Sequence, residues 1–241
     1  MSTLFISDLH LEADRPDIGE QFVNFLKTDA MEADELYILG DLFEAWVGDD
    51  DPNTHYSKIK RTIRKVVDKG IPIFFMHGNR DFMIGRQFAN ETGVEILPDP
   101  YPVHMYGQKA LLSHGDAMCT DDTQYQRVRL MTRNPDWQAS MRVKPLKERL
   151  LIAAEARRQS MEQTINMSLD IMDVNKDEVI RVIKEYGVDV LVHGHTHRPD
   201  VHTIDLGNRR AKRIVLGDWY TQGSVLRWDL RGPKLQEMPR S

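Results

Sequence analysis

The stretch TLFISDLH, residues 3–10, is a short apolar run that ends in an aspartate and a histidine. Short runs rich in Val, Ile, Leu and Phe are typical of buried strands. Four more such runs are each followed by polar side chains, and they lie at residues 36–39, 71–76, 110–112 and 188–192. Loops that leave the carboxyl ends of neighbouring strands in an open α/β sheet converge on one crevice. We therefore expect an α/β fold in which these polar clusters meet.

The composition of the 241 residues indicates a soluble globular protein, since 41% are hydrophobic and 29% are charged. The formal net charge of -5 argues against a protein that coats nucleic acid, because such proteins favour a basic surface. The single cysteine, Cys119, excludes an internal disulfide and fits a reducing compartment. The sequence shows neither a signal peptide nor an apolar stretch of the roughly 20 residues needed to span a bilayer. The cytoplasm is the expected location.

Helical spacing alternates with the apolar runs along the first part of the chain. It occurs at residues 20–27, 57–69 and 85–92. A hairpin is predicted at residues 101–114 around Gly107. Further strands are predicted at residues 213–216 and 224–230, with Gly217 and Gly223 marking the turn between them. More than one sheet is therefore expected.

Residues 118–172 differ from the rest of the chain because they lack strand-like runs and hold six of the twelve methionines. Nine Lys or Arg against seven Asp or Glu give this helical segment a local charge of +2. We predict a helical lid, 118–172, inserted within a single domain that spans residues 1–241. Its apolar faces, such as Tyr125, Val128 and Met131, are expected to pack on the domain. The alternative is a surface that contacts lipid.

The polar residues that follow the runs are of metal-binding type, and they are Asp8, His10, Asp41, Asn79, His114, His195 and His197. Carboxylate, imidazole and amide oxygen together suit Mn, Fe or Zn, whereas Ca prefers oxygen alone. Residues two apart on an extended segment point to the same side, so Asp8 and His10 should share a pocket. The same holds for His195 and His197. A carboxylate such as Asp41 can bridge two cations about 3.5 to 4 Å apart. The set predicts a two-metal hydrolytic site.

The order of these motifs resembles that of the calcineurin-like metallophosphoesterases. It runs Asp8-x-His10, Gly40-Asp41, Gly78-Asn79, His114-Gly115 and Gly194-His195-x-His197. Three strings more closely resemble the family of UDP-2,3-diacylglucosamine hydrolases of lipid A biosynthesis. They are GDLFEAW at 40–46, IMDVN at 171–175 and HGHTHRP at 193–199. The resemblance implies a four-layer αββα sandwich with an inserted helical lid and two Mn²⁺ ions per chain.

The resemblance also implies roles for individual residues. It assigns one ion to Asp8, His10, Asp41 and His197. It assigns the other ion to Asp41, Asn79, His114 and His195, so that Asp41 bridges. It implies catalytic roles for Asp41, Asn79, Arg80, His114 and His195. It implies substrate contacts for Asn79, Arg80, Asp122, Ser160, Thr164, Met167 and His195. Thr164 and Met167 depart from the asparagine and lysine expected there, and Met167 cannot supply a charge.

Arg80 distinguishes this chain from general metallophosphoesterases, which commonly have histidine at this place. A histidine can protonate a poor leaving group, whereas an arginine stays protonated and can clamp a phosphate. We therefore expect a leaving group that needs no proton, such as the phosphate released from a pyrophosphate. The alternative is that Arg80 only pairs with Asp81.

The family resemblance implies that the protein hydrolyses UDP-2,3-diacylglucosamine by water attack at the α-phosphorus. The products would be UMP and 2,3-diacylglucosamine 1-phosphate (lipid X). The protein would act peripherally on the cytoplasmic face of the inner membrane, without nucleic acid or an obligatory protein partner. The alternatives are a metallophosphoesterase with another phosphodiester or phosphomonoester substrate, and a noncatalytic binding module of the same fold.

Overall fold

The computed structural model describes residues 2–164, 171, 173–221 and 223–238. Across these residues it contains eleven strands and seven α-helices. The strands are β1 (Thr3–Ile6), β2 (Glu35–Leu39), β3 (Ile73–Met76), β4 (Glu95–Leu97), β5 (Tyr101–Met105), β6 (Gln108–Ser113), β7 (Val190–His193), β8 (Asp200–Asp205), β9 (Arg210–Val215), β10 (Gly223–Asp229) and β11 (Gly232–Met238). The helices are α1 (Pro16–Lys27), α2 (Thr54–Asp68), α3 (Arg86–Thr92), α4 (Thr123–Thr132), α5 (Pro135–Arg142), α6 (Leu146–Thr164) and α7 (Lys176–Tyr186).

The strands form two sheets. The first has the order β11-β10-β1-β2-β3-β4, in which β1 to β4 run parallel and β10 pairs antiparallel with β1. In its register Leu4 lies opposite Leu36, which lies opposite Ile73. The second sheet has the order β5-β6-β7-β9-β8, with β6, β7 and β9 parallel. Five of the parallel strands coincide with the buried apolar runs of the sequence, as expected for strands covered on both faces, and they are β1, β2, β3, β6 and β7.

Three apolar clusters define the layers. Phe5, Leu39, Val192 and Trp228 belong to the cluster between the sheets. A second cluster joins the outer face of the first sheet to α1, α2 and α3, and a third joins the second sheet to α7. Full burial of one such Leu or Phe side chain contributes about 1.5–3 kcal/mol. The four-layer αββα arrangement predicted from the family resemblance is therefore confirmed.

Helix α7 illustrates how local sequence sets the ends of an element. The Asn175 side chain accepts hydrogen bonds from the amides of Asp177 and Glu178, which are otherwise unpaired at a helix start. The helix ends at Gly187, whose φ of 62° suits a residue without a Cβ. Between these ends Val179 and Ile183 lie four residues apart and pack on the second sheet. The helix thereby covers the sheet that carries β6 and β7.

Two parts of the predicted strand pattern differ from the structure. Strands β8 and β11 were not expected, because both are edge strands with exposed or half-buried side chains and no apolar run. Residues 213–216 and 224–230 are not consecutive strands of one sheet, since β9 lies in the second sheet and β10 in the first. The glycines at 217 and 223 mark a crossing between the sheets. A turn signal does not specify to which sheet a strand returns.

The described part of residues 118–172 contains α4, α5 and α6, while residues 165–170 and 172 lie outside the described residues. The expected packing of the α4 face on the domain is confirmed only at Tyr125, whose Oη donates to Asp116, whereas Val128 and Met131 are 46% and 48% exposed. Leu130 is 71% exposed. Of the helices in the described ranges, none is long and apolar enough to cross a membrane.

Candidate dinuclear metal centre

The predicted metal ligands all lie in loops at the carboxyl ends of parallel strands. Asp8 and His10 follow β1, Asp41 follows β2, and Asn79 follows β3. The remaining ligands, His114, His195 and His197, follow β6 and β7 of the second sheet. The site is therefore assembled by both sheets, where the sequence had predicted convergence at a sheet edge.

Five of these residues have left-handed backbone conformations, which non-glycine residues rarely adopt. They are Asp8 (φ 55°), His10 (φ 50°), Asp41 (φ 53°), His195 (φ 69°) and His197 (φ 54°). Each such residue costs about 1–3 kcal/mol and persists only where the surroundings enforce it. The expectation that these segments are extended is wrong. Backbone hydrogen bonds between loops enforce the turns, such as those from Asp8 N to Gly40 O (3.1 Å) and from His10 N to Asp41 O (3.0 Å).

Asp8, His10 and His197 form a first group that could hold a metal ion. The Nε2 atoms of His10 and His197 are 3.3 Å apart, and His197 Nε2 is 3.4 Å from Asp8 Oδ1. Burial raises the pKa of Asp8, but hydrogen bonding and charge from His197 outweigh burial and lower it overall. Asp8 is therefore ionised at neutral pH.

Asp41, His114 and His195 form a second group. Asn79 completes it, because its Oδ1 lies 2.9 Å from both His114 Nε2 and His195 Nδ1. Asp41 Oδ2 is 3.8 Å from His114 Nε2 and 3.9 Å from His10 Nε2, so this oxygen lies between the two groups. His195 and His197 thus belong to different groups, which corrects the expectation of one common pocket for this pair.

The donor atoms fit two cations. Asp8 Oδ1 is buried and faces His197 Nε2 at 3.4 Å. Burial lowers the pKa of His114, but the carboxylates of Asp41, Asp116 and Asp8 raise it to about 9. Burial and the His114 charge lower the pKa of His195 to about 4. A site that stabilises extra positive charge on His114 offers the same electrostatic stabilisation to a metal ion. The chain therefore presents a dinuclear metal centre.

A carboxylate and a carbonyl group behind the site orient two of the histidines. His10 Nδ1 lies 2.8 Å from Glu44 Oε2, and His114 Nδ1 lies 2.9 Å from the Leu39 carbonyl. Donation from Nδ1–H leaves Nε2 unprotonated and directed at the centre. Glu44 is only 3% exposed and was missed by the sequence analysis, although it lies within the string GDLFEAW.

Asp81 was also missed as a structural element of the site. Its two oxygens accept hydrogen bonds from the amides of Leu42 (2.7 Å) and Gly78 (2.8 Å), which join the loop of Asp41 to the loop of Asn79. Burial and the nearby Asp41 carboxylate raise the pKa of Asp81 to about 7. Among the described residues the Arg80 guanidinium approaches Glu44 and makes no ion pair with Asp81, so the alternative that Arg80 only pairs with Asp81 is wrong.

Arg80 lies beside the centre with an accessible guanidinium. Its backbone amide donates to Asp41 Oδ1 (2.8 Å), while its side chain is 26% exposed and reaches within 3.9 Å of Glu44. Arg157 of α6 makes a closer contact of 2.9 Å with the same carboxylate. Glu44 thus contacts a metal-site histidine and two arginines.

Helix α4 is anchored directly to the loops of the centre. The buried Asp116 Oδ2 accepts from Tyr125 Oη (2.8 Å) and from Arg129 Nε (2.9 Å). Arg133 donates to the carbonyl of Gly78 (2.9 Å), next to Asn79. No sequence motif identified these contacts, since they join residues on different elements.

The structure gives less information on the four other predicted substrate residues. Asp122 is the N-cap of α4 and accepts from the Tyr125 amide (2.9 Å). Ser160 is exposed on α6. The Thr164 side chain and all of Met167 lie outside the described residues. The roles of these four residues remain predictions.

His193 lies outside both metal groups. Its Nε2 accepts from Arg213 Nε (2.9 Å), and its Nδ1 donates to the Gly194 carbonyl (2.8 Å). Burial and the Arg213 charge lower its pKa to about 3, so it is neutral in the folded protein. The residue supports the loop of His195 from behind.

The chain is similar to known proteins over most of its length. The family model for calcineurin-like phosphoesterases matches residues 1–199. A UDP-2,3-diacylglucosamine hydrolase of Xanthomonas oryzae pv. oryzae (strain PXO99A) is 48% identical over 244 residues, covering 98% of this chain and 99% of that relative. The enzyme of the same name from Stenotrophomonas maltophilia (strain K279a) is 46% identical over the whole of both chains. A solved structure described as an archaeal phosphodiesterase aligns with 99% of this chain and 100% of its own at a TM-score of 0.48 and 13% identity.

Proposed function

The chain belongs to the calcineurin-like phosphoesterases and, within them, to the family of UDP-2,3-diacylglucosamine hydrolases, and we propose that it hydrolyses UDP-2,3-diacylglucosamine using two Mn²⁺ ions. Water attacks the α-phosphorus, the bond from this phosphorus to the bridging oxygen breaks, and UMP and 2,3-diacylglucosamine 1-phosphate leave. When bound, the two cations would lower the pKa of the attacking water and offset negative charge on the attacked phosphorus.

The observation that carries the proposal is the position of Asp41 between two groups of donor atoms. Its Oδ2 is nearly equidistant from His10 and His114, at 3.9 and 3.8 Å. Asp8, His10 and His197 would hold one ion with Asp41, while Asn79, His114 and His195 would hold the other. Left-handed backbone conformations at five of these residues direct their side-chain ligand atoms toward the two groups.

Arg80 supports a pyrophosphate substrate over a simple ester. The phosphate that leaves from a pyrophosphate needs no proton, whereas an alkoxide leaving group does. The Arg80 guanidinium cannot readily supply a proton, but it can bind two phosphate oxygens at once. Its partial exposure and its 3.9 Å separation from Glu44 leave it able to turn toward a phosphate.

Helices α4 to α6 are proposed to act as the lid over the acyl chains, with Asp122, Ser160, Thr164 and Met167 toward the sugar phosphate. Exposed apolar side chains on this segment support contact with lipid, and they are Val128, Leu130, Met131, Val143, Leu150, Leu151 and Met161. The proposed location is the cytoplasmic face of the inner membrane. Methionine at 167 in place of lysine removes one charge from the proposed substrate contacts.

The test is hydrolysis of UDP-2,3-diacylglucosamine by Mn²⁺-loaded protein, with bis(p-nitrophenyl) phosphate as the competing ester. We expect faster turnover of the nucleotide lipid and loss of both activities in an Asp41→Ala, His114→Ala double variant. His104→Ala, at an exposed position on β5, is the matched control and should retain activity. Faster turnover of the ester than of the lipid would contradict the proposed substrate, and activity in the double variant would contradict the site.

Arg80→His provides a separate test of the leaving-group reasoning. We expect this variant to lose activity on UDP-2,3-diacylglucosamine, because the imidazole cannot clamp the phosphate, and to gain activity on an alkyl phosphodiester, because the alkoxide leaving group needs the proton that an imidazole can donate. Full activity of Arg80→His on the nucleotide lipid would contradict the clamp.

A further inference from the structure

The segment that crosses from β9 to β10 lies beside the first metal group. Its described residues, 217–221, have the sequence GDWYT, and we name them the crossing loop. The Trp219 amide donates to the Asp8 carbonyl (3.2 Å), which joins the crossing loop to the turn that carries Asp8 and His10. None of the proposed catalytic or substrate contacts comes from the crossing loop.

Asp218 of the crossing loop faces His197. The Nε2 atom of His197 is directed at the first metal group, 3.4 Å from Asp8 Oδ1, while its Nδ1 is at ion-pair distance, 3.5 Å, from Asp218 Oδ2. The other oxygen, Asp218 Oδ1, accepts from the Tyr220 amide (3.0 Å), so the carboxylate is held by its own loop. A histidine that binds a metal through one ring nitrogen is commonly oriented by a carboxylate at the other. Asp218 occupies this position behind His197.

The Tyr220 ring packs against both histidines of the first metal group. It stacks on His10, with ring centroids 5.2 Å apart and an angle of 15° between the planes, and its centroid is 5.9 Å from that of His197. Aromatic rings at such separations attract each other, so the contact favours one orientation of the His10 imidazole. Three consecutive residues of the crossing loop thus contact all three residues of this group.

The core of the domain fixes the crossing loop. Trp219 is fully buried, and its ring makes edge-to-face contacts with Phe22 and Phe25 of α1. Asp218 and Tyr220 flank this tryptophan in the chain, so the packing of α1 on the first sheet sets the positions of both side chains. The crossing loop therefore connects the core under α1 to the metal group.

We propose that Asp218 and Tyr220 are positioning residues that strengthen binding of the cation in the first metal group and not of the cation in the second. The proposal rests on the two cations of the proposed function but not on the identity of the substrate. Asp218 favours the tautomer of His197 with its proton on Nδ1, which leaves Nε2 to bind the cation. Tyr220 holds the His10 imidazole in place. The second group is oriented from β2, through the Leu39 carbonyl.

The test is Mn²⁺ titration of the full chain in competition with a chelator, together with electron paramagnetic resonance. Asp218→Asn keeps an acceptor for the Tyr220 amide and removes the charge that faces His197. We expect about 10-fold weaker binding of one Mn²⁺ ion and binding of the other within about twofold of wild type. At a Mn²⁺ concentration that fills both sites of the wild type, the wild type should give the spectrum of an exchange-coupled pair. The variant should give the spectrum of isolated Mn²⁺.

Tyr220→Ala should have the same selective effect on one ion. Tyr220→Phe keeps the ring and should bind both ions within about twofold of wild type. Asp205→Asn is the matched control for Asp218→Asn, because Asp205 also accepts from the amide two residues further on (2.8 Å, from Gly207). Asp205 lies at the end of β8 away from the site, and its substitution should leave both affinities unchanged.

Two results would overturn the positioning roles while the dinuclear centre stands. They are wild-type affinity for both ions in Asp218→Asn or in Tyr220→Ala, and equal weakening of both ions in either variant. Wild-type protein that binds fewer than two Mn²⁺ ions would overturn the dinuclear centre of the proposed function and the positioning roles together.

Discussion

Glu44→Gln tests whether Glu44 strengthens metal binding by orienting the His10 side chain, since it changes no residue that would itself contact the metal. The Glu44 carboxylate lies 2.8 Å from His10 Nδ1 and is only 3% exposed. Burial raises its pKa, but His10, Arg80 and Arg157 outweigh burial and lower it, so the group is ionised at neutral pH. Glutamine keeps the shape of the side chain and removes the charge.

The expected effect is a 10- to 100-fold loss in Mn²⁺ affinity, the usual consequence of removing a partner that orients a ligating histidine. This corresponds to about 1.4–2.8 kcal/mol. The contact between a charged carboxylate and the imidazole becomes a weaker contact between two neutral groups. The glutamine amide can also rotate its NH₂ group toward His10, which would favour the wrong imidazole tautomer.

The assay is Mn²⁺ binding in competition with a chelator of known affinity, with the metal-dependent rise in Tm as a second readout. Glu12→Gln is the matched control, because Glu12 also approaches Arg157 (3.9 Å) but contacts no histidine of the site. Arg157→Ala removes the contact from α6 to Glu44 and keeps the contact to His10. Both control variants should bind Mn²⁺ within about twofold of wild type, a difference well below the loss expected when a partner that orients a ligating histidine is removed.

Two results would refute this reasoning. The first is wild-type Mn²⁺ affinity in Glu44→Gln. The second is an equal loss in Arg157→Ala, which would mean that Glu44 acts through α6 and not through the orientation of His10.

Three further predictions concern the pH dependence, the lid surface and the anchoring of α4. His193 has its pKa lowered from 6.5 to about 3 in the folded protein, so protons bind preferentially to the unfolded chain as pH falls below about 6.5, and stability is lost. Urea unfolding of chelator-treated protein measures this effect. Between pH 7 and pH 5 the free energy of unfolding should fall by about 2 kcal/mol more for wild type than for His193→Asn, and an equal fall would contradict the lowered pKa of His193. Leu130→Glu should reduce sedimentation of the protein with anionic vesicles about 10-fold. Leu230→Glu is the control, because Leu230 is 84% exposed but lies outside the lid, and it should leave sedimentation unchanged. Equal effects of the two substitutions would exclude α4 as the docking face. Arg133→Ala removes the hydrogen bond to the Gly78 carbonyl and should lower the free energy of unfolding by about 1–3 kcal/mol, with faster amide exchange in α4; unchanged exchange would contradict the anchoring role.

The sequence predicted the central strands because burial on both faces requires a continuous apolar run. β1, β2, β3 and β7 therefore lie where the runs of Val, Ile, Leu and Phe occur. β8 and β11 could not be found in this way, since an edge strand is held by backbone hydrogen bonds to one neighbour and leaves its side chains exposed. The same limit applies to the crossing at residues 217–223, because pairing partners are set by tertiary packing.

The sequence indicates which residues carry ligand-type side chains after the apolar runs, but it does not indicate their backbone conformations or their supporting contacts. Asp8 and His10 carry ligand atoms at the end of a buried run, which the sequence displays directly. Their left-handed conformations depend on hydrogen bonds to the loop of Asp41, which is distant in sequence. Glu44 and Asp116 likewise acquire their roles only through contacts with residues on other elements. Long-range contacts of this kind leave no periodic pattern in the chain.

The measurement that tests the central proposal most directly is hydrolysis of UDP-2,3-diacylglucosamine by Mn²⁺-loaded protein in oxygen-18 water, followed by mass spectrometry of both products. Attack on the phosphorus attached to uridine places the label in UMP and leaves 2,3-diacylglucosamine 1-phosphate unlabelled. Label in 2,3-diacylglucosamine 1-phosphate would mean that water attacks the other phosphorus, and it would contradict the proposed reaction.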